Sequence, residues 1–181
     1  MPYSRAAVDA PFGAIPHGKD LGSHVYRTDG PAAAIYWGDF VGQMADGCVE
    51  TITSATASMI LGVAAHYMAA GATTGIAVYD DPDQEFMIQD DGDTTPMTAL
   101  SEGTVVSTIL TTGSTTTLRS AHEIDSSTAA AAPTAVVGHS LKVLRLAEVE
   151  ADSYASAAGS PRRWIVRVLP IFHQLATASG I

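Results

Sequence analysis

Basic residues are scarce in this sequence. Nine Lys and Arg stand against nineteen Asp and Glu in 181 residues, giving a formal net charge of −10, and Lys19 and Lys142 are the only lysines. Nucleic acid is therefore not an expected partner, because affinity for it comes largely from neutralising phosphates with Lys and Arg. The compact cluster Arg162, Arg163 and Arg167 reads as polar residues beside a terminal strand. Cysteine occurs once, at Cys48, so no internal disulfide can form, and its Val/Ile/Thr-rich surroundings mark it as a small buried hydrophobe. No apolar run approaches the roughly 18 residues that span a bilayer. Met1 to Asp20 holds no apolar secretion segment, so no membrane partner is expected and synthesis is expected in a cytoplasm. Charged residues of both signs make up only 15%, and the Glu–Lys pairs that decorate exposed helices cannot be drawn from so few.

Thr, Ala, Ser and Gly fill the gap, alongside 46% apolar residues, enough for one domain or two small ones with a real core. Short apolar runs recur between turn residues, at the roughly 8 to 12-residue spacing of a β-barrel or sandwich. The runs are Ala34–Trp37, Phe40–Val41, Cys48–Thr53, Met59–Met68, Ile76–Tyr79, Phe86–Ile88, Thr104–Leu110, Leu118–Ile124, Leu141–Leu146 and Trp164–Phe172. Ala45-Asp46-Gly47 marks a turn, Met97–Leu100 one helical turn, and the apolar phase slips between Val143 and Leu144 as at a β-bulge. Pro170 places the end of the last run at a sheet edge. Loops are expected over Asp125–Thr134 and Ala151–Pro161. The expected fold is thus all-β: a barrel or sandwich of short antiparallel strands over 32–181. One admissible topology inserts a second barrel at about 75–140. Residues 1–31, broken by Pro2, Pro11, Pro16 and Pro31 yet carrying Phe12, Ile15, Leu21, Val25 and Tyr26, form an extended N-terminal arm. Two placements suit it: along a neighbour's surface, or folded back on its own barrel.

The most distinctive run is Val78–Asp93, which reads as strand, acidic turn, strand, acidic turn, and so as a hairpin. Asp80, Asp81, Asp83, Asp90, Asp91 and Asp93 offer the hard oxygens that calcium prefers, but no Glu closes a twelve-residue loop. The reading preferred on spacing is that these acids cap turns and keep an edge soluble. Six scattered histidines (17, 24, 66, 122, 139, 173) show no zinc spacing, so no metal or other cofactor is expected. Gly-x-Ser-x-Gly, His-Glu-x-x-His and a glycine-rich phosphate loop are all missing. Trp37 and Trp164 sit in apolar patterns and read as core. Nothing demands catalysis, and the chain is expected not to be an enzyme.

An ordered series of segments carries a resemblance. It runs through Ala10-Pro-Phe-Gly-Ala-Ile-Pro16, Ile35 to Val41 with Gly38-Asp39, Met59-Ile-Leu-Gly-Val63, and the whole of Val78–Gly92. It continues through Leu118-Arg-Ser120, Glu123-Ile-Asp125, Leu141–Leu146 and Val166–Leu175. Together these resemble the small β-rich decoration, or cement, proteins of tailed-bacteriophage capsids, in order from about residue 10 to 175; residues 147–163 depart as unusually Ala/Ser-rich. The resemblance implies a non-enzymatic virion protein on the outer capsid surface, bound across major capsid protein subunits and self-associating, with a trimer as one form. An arm that reaches a neighbour would make Pro11, Phe12, Ile15 and Pro16 the capsid contacts. The alternative is a tail or fibre module that recognises host glycan through acidic loops and calcium.

Overall fold

The computed structural model describes residues 9–53, 59–93, 97–129, 140–147 and 160–176. The first eight residues of the arm, residues 130–134 of the loop expected over Asp125–Thr134, and residues 151–159 of the loop expected over Ala151–Pro161 lie outside the described residues. The described chain is all-β, built as two antiparallel sheets in a sandwich-like arrangement, and its only helical pieces are single 3-10 turns. Eleven strands follow in order: β1 (Ile15–His17), β2 (His24–Tyr26), β3 (Phe40–Gln43), β4 (Val49–Thr51), β5 (Gly62–Ala64), β6 (Ile76–Tyr79), β7 (Glu85–Gln89), β8 (Val105–Ile109), β9 (Glu123–Asp125), β10 (Leu141–Leu146) and β11 (Arg163–Val168). One sheet has the order β1-β7-β11-β10-β8-β9 and the other β2-β6-β5-β3-β4.

The chain completes the five-stranded sheet before it builds most of the six-stranded one. The range 75–140 is therefore not a unit of its own. β6 belongs to the five-stranded sheet, while β7 pairs with β1 and β11 and β8 pairs with β10. Residues 9–31 take the second of the two placements: Ile15–His17 runs antiparallel to β7 and His24–Tyr26 antiparallel to β6.

The core lies between the sheets, where Phe40 and Val63 of one meet Phe86, Ile88, Val106, Leu141, Val143, Trp164 and Val166 of the other. A second cluster, Ile35, Val41, Val49, Leu61, Ala64, Met68, Ile76 and Val78, covers the opposite face of the five-stranded sheet. That sheet is buried on both sides, which is why Met59–Met68 reads as continuously apolar rather than alternating. Gly62 fits there because a Cβ would fall 2.1 Å from the Tyr79 carbonyl oxygen. Cys48 is buried as expected.

Several local expectations hold. Ala45-Asp46-Gly47 turns β3 into β4, with Gly47 at φ +81° and its N–H on the Met44 carbonyl. The β10–β11 register shifts between Val143 and Arg145, where the apolar phase slips. Thr98 caps a 3-10 turn at Ala99–Ser101.

Others are corrected. Val78–Asp93 is not a hairpin: β6 and β7 lie in different sheets, and Asp80–Gln84 is the corner between them. Side-chain alternation is identical in either geometry, so the pattern cannot tell a hairpin from a corner. Leu118–Ile124 is a turn followed by the short β9, and Ala34–Trp37 contributes single bridges rather than a strand. β11 ends at Val168 in the middle of its sheet, with Pro170 opening a 3-10 turn, so Pro170 marks no edge.

Candidate functional site

The acidic stretch is the first place to look for chemistry, and its carboxylates are engaged by their own chain. Asp80 is buried and accepts hydrogen bonds from His24 Nδ1, at 2.8 Å to Oδ1, and from the Tyr26 hydroxyl, clipping edge strand β2 to the corner. Asp81 Oδ1 accepts the Asp83 N–H at 2.8 Å and the Asp81 carbonyl accepts the Gln84 N–H, which is the turn itself. Asp83 receives Arg167 at 2.8 Å and Glu85 receives Arg145 at 3.4 Å. Buried Asp90 accepts the Arg162 N–H at 2.7 Å and Trp164 Nε1 at 2.9 Å. Ser126 Oγ donates toward Asp91 at 2.6 Å and Asp93 at 2.9 Å. The stretch is a set of braces reaching β2, β10, β11 and the turn after β9. Among the described residues no group of three or more His, Cys, Asp or Glu side chains is placed to hold a metal ion.

Burial sets the ionisation of several of these groups. Desolvation raises Asp90, against the donors that stabilise its charge. Half-buried Glu123 is pushed up to about 7, first by desolvation and then by the Asp9 charge; Gln89 Nε2 bridges the two acids at 3.3 and 3.2 Å. His24 is raised by its hydrogen bond and charge pairing with Asp80.

A second arrangement was invisible in the sequence. Asp39 and His122, both nearly fully buried, form part of the wall of a pocket of about 290 Å³ whose other lining includes Tyr36, Thr51, Thr53, Leu110, Thr111 and Thr112. The Phe40 N–H donates to His122 Nδ1 at 3.2 Å, so the neutral ring keeps its proton on Nε2, which faces Asp39 Oδ1 at 3.5 Å. Burial pushes His122 down to about 4 and Asp39 up to about 6, the latter opposed by hydrogen bonds from Ser120 and the Tyr36 amide. Ser, His and Asp are thus brought together, but not in the order acyl transfer needs. Ser120 Oγ accepts the His122 backbone N–H at 3.0 Å, while the imidazole nitrogens face the Phe40 amide and the carboxylate. With Nε2 protonated, His122 is also turned away from metal ligation.

The third feature is an open surface groove of about 330 Å³ lined by Trp37, Ala65, His66, Tyr67, Thr117 and Leu118. Trp37, expected in the core, is only half-buried, and the Arg119 guanidinium lies 4.1 Å from its ring centroid. Tyr67 packs on Tyr36 at 5.4 Å between centroids. Leu118 is 41% exposed and has φ +57°, the one positive φ outside glycine among the described residues. Hydrogen bonds hold it there: its N–H donates to the Ser114 carbonyl at 2.8 Å, and its carbonyl accepts the Trp37 N–H at 3.2 Å.

Of the contact residues expected from the resemblance, all four are half-buried. Ile15 and Pro16 lie in β1, opposite Met87 and Phe86. Pro11 and Phe12 lead into Gly13, where a Cβ would sit 2.3 Å from Ser120 Cβ, so this segment is pressed against the 36–39 and 118–122 crossing. Arg162, read as a polar residue beside the terminal strand, immediately precedes β11; it is buried, and its guanidinium donates to the Met97 carbonyl.

No protein-family model, curated protein sequence or solved structure matches this chain.

Proposed function

We propose that this chain is a structural virion protein that coats the icosahedral head of a tailed bacteriophage, on its outer surface and bound across major capsid protein subunits. The observation that carries the reading is the ordered resemblance from about residue 10 to 175. The same segments are the structural seams: Ala10–Pro16 runs into β1, Val78–Gly92 makes the corner and its braces, and Leu141–Leu146 lies in the six-stranded sheet. A shell-stabilising protein needs a stiff body with its polar groups satisfied internally, and the braced corner supplies that stiffness. Its acidic surface keeps it dispersed before assembly. Many copies on a repeated lattice then turn weak single contacts into firm attachment, and a closed homo-oligomer such as a trimer adds to this. In this role no catalysis and no cofactor is required of it. Pro11, Phe12, Ile15 and Pro16 would contribute through the faces they leave exposed.

Quantitative mass spectrometry of purified virions tests the reading. Copies on the order of hundreds per particle, as a lattice-bound protein requires, are expected. Absence from the particle, or a handful of copies at a tail, would sink it.

A further inference from the structure

The groove at Trp37 combines four observations. Arg119 stacks on Trp37 and has no carboxylate partner among the described residues, whereas Arg27, Arg145 and Arg167 pair with Asp29, Glu85 and Asp83. The groove is lined without a single acid, in a chain of net charge −10. Its edge is an exposed Leu118 held in a left-handed backbone conformation that a branched side chain does not choose. Strain of this kind persists only where the surroundings enforce it, and it concentrates at functional positions. Finally, indole, phenol and guanidinium are the side chains that dominate the energetics of protein interfaces.

We infer that this groove is a docking surface for the capsid shell, filled by a protein segment that presents an apolar side chain beside a carboxylate. The inference rests on the capsid reading above and names the surface by which it would operate. Charge complementarity carries the choice of partner: the guanidinium lies over the indole, 4.1 Å from its centroid, and no carboxylate among the described residues pairs with it. The apolar side chain would lie against Leu118, Ala65 and the free edge of Trp37. Exclusion of water by that contact strengthens the ion pair at its rim.

The test uses full-length protein and phage heads assembled without it, with occupancy measured by co-sedimentation across a concentration series. Wild type is expected to saturate the heads. Leu118→Gly removes the side chain while keeping a residue at ease at positive φ, so the fold is preserved; circular dichroism and a thermal melt check this. Both Leu118→Gly and Arg119→Glu are expected to weaken binding at least about tenfold, the scale of an interface hot spot, while Leu100→Ser at an exposed site elsewhere leaves it unchanged. Binding of wild type is also expected to weaken as salt rises. If wild type saturates the heads and both groove variants do so at the same concentration, the groove is not the docking surface and the capsid reading stands alone. If a soluble acidic saccharide occupies the groove while capsid binding is untouched by the variants, the protein partner is likewise overturned. If wild type itself fails to bind, the capsid reading falls and this inference with it.

Discussion

Between about pH 4 and 6 an exposed aspartate is ionised and an exposed histidine is protonated; burial beside Phe40 reverses both at Asp39 and His122. Folded Asp39, at about 6 against an ordinary 3.8, holds a proton in this window that the unfolded chain lacks. Folded His122, at about 4 against 6.5, lacks one that the unfolded chain holds. The two contributions to stability slope in opposite directions with pH and largely cancel. Single substitutions are expected to unmask them. Relative to wild type, Asp39→Asn should lose stability as pH falls from about 6 to 4, and His122→Asn should gain it. Urea midpoints at several pH values measure this, and parallel profiles for all three proteins would refute the arrangement. Asp90 makes a different residue-level case. Asp90→Ala removes a carboxylate that accepts from the buried Arg162 amide and Trp164 indole N–H, so a loss of about 2–5 kcal/mol is expected from urea unfolding. A loss below about 1 kcal/mol would mean that neither donor depends on it.

The elements most changed from their sequence reading are the edge strands. β1 and β2 supply an edge to each sheet, so an N-terminal deletion of residues 1–31 removes more than a tether. It exposes β7 and β6 backbone groups and takes away Tyr26, which packs on the second core cluster. The expected outcome is a protein without a cooperative melt; a folded 32–181 fragment with wild-type melting behaviour would contradict it. β2 also carries a pH signature. His24 is raised through Asp80, so the clip is fully present below the ordinary value of 6.5 and is lost as pH rises through the folded value. Protection factors of the β2 amides should therefore decline in wild type as pH rises through that folded value. His24→Ala should show low, pH-independent protection. How much of this level is legible in sequence varies with the kind of signal. The bulge in β10 and the Asp46–Gly47 turn are readable because a phase slip and a turn residue act within a few residues. Trp37 is misread because an apolar neighbourhood in sequence does not say which side of a bridge faces water.

At the scale of the molecule, two sheets enclose one core while a second cluster covers the outer face of the smaller sheet, so a modest chain buries two layers of apolar side chains. Its acidity is partly structural, because the aspartates of the corner hold elements together. A calcium titration of the intact protein is expected to leave the melting temperature unchanged. A rise at millimolar calcium would mean that the corner carboxylates leave their internal donors for the ion and would restore the cation reading.

The amino-acid sequence by itself determined the all-β class, local turns such as Asp46–Gly47 and the net charge of −10. These follow from composition, period and charge, which are local or additive properties. Only the tertiary structure decided that Val78–Asp93 is a corner between sheets and that residues 15–17 and 24–26 belong to the body. It alone placed Asp39 against His122, and Arg119 on Trp37 with no acid partner among the described residues. Each of these depends on which distant segments come to lie side by side, and periodicity along one chain carries no record of what stands across from it.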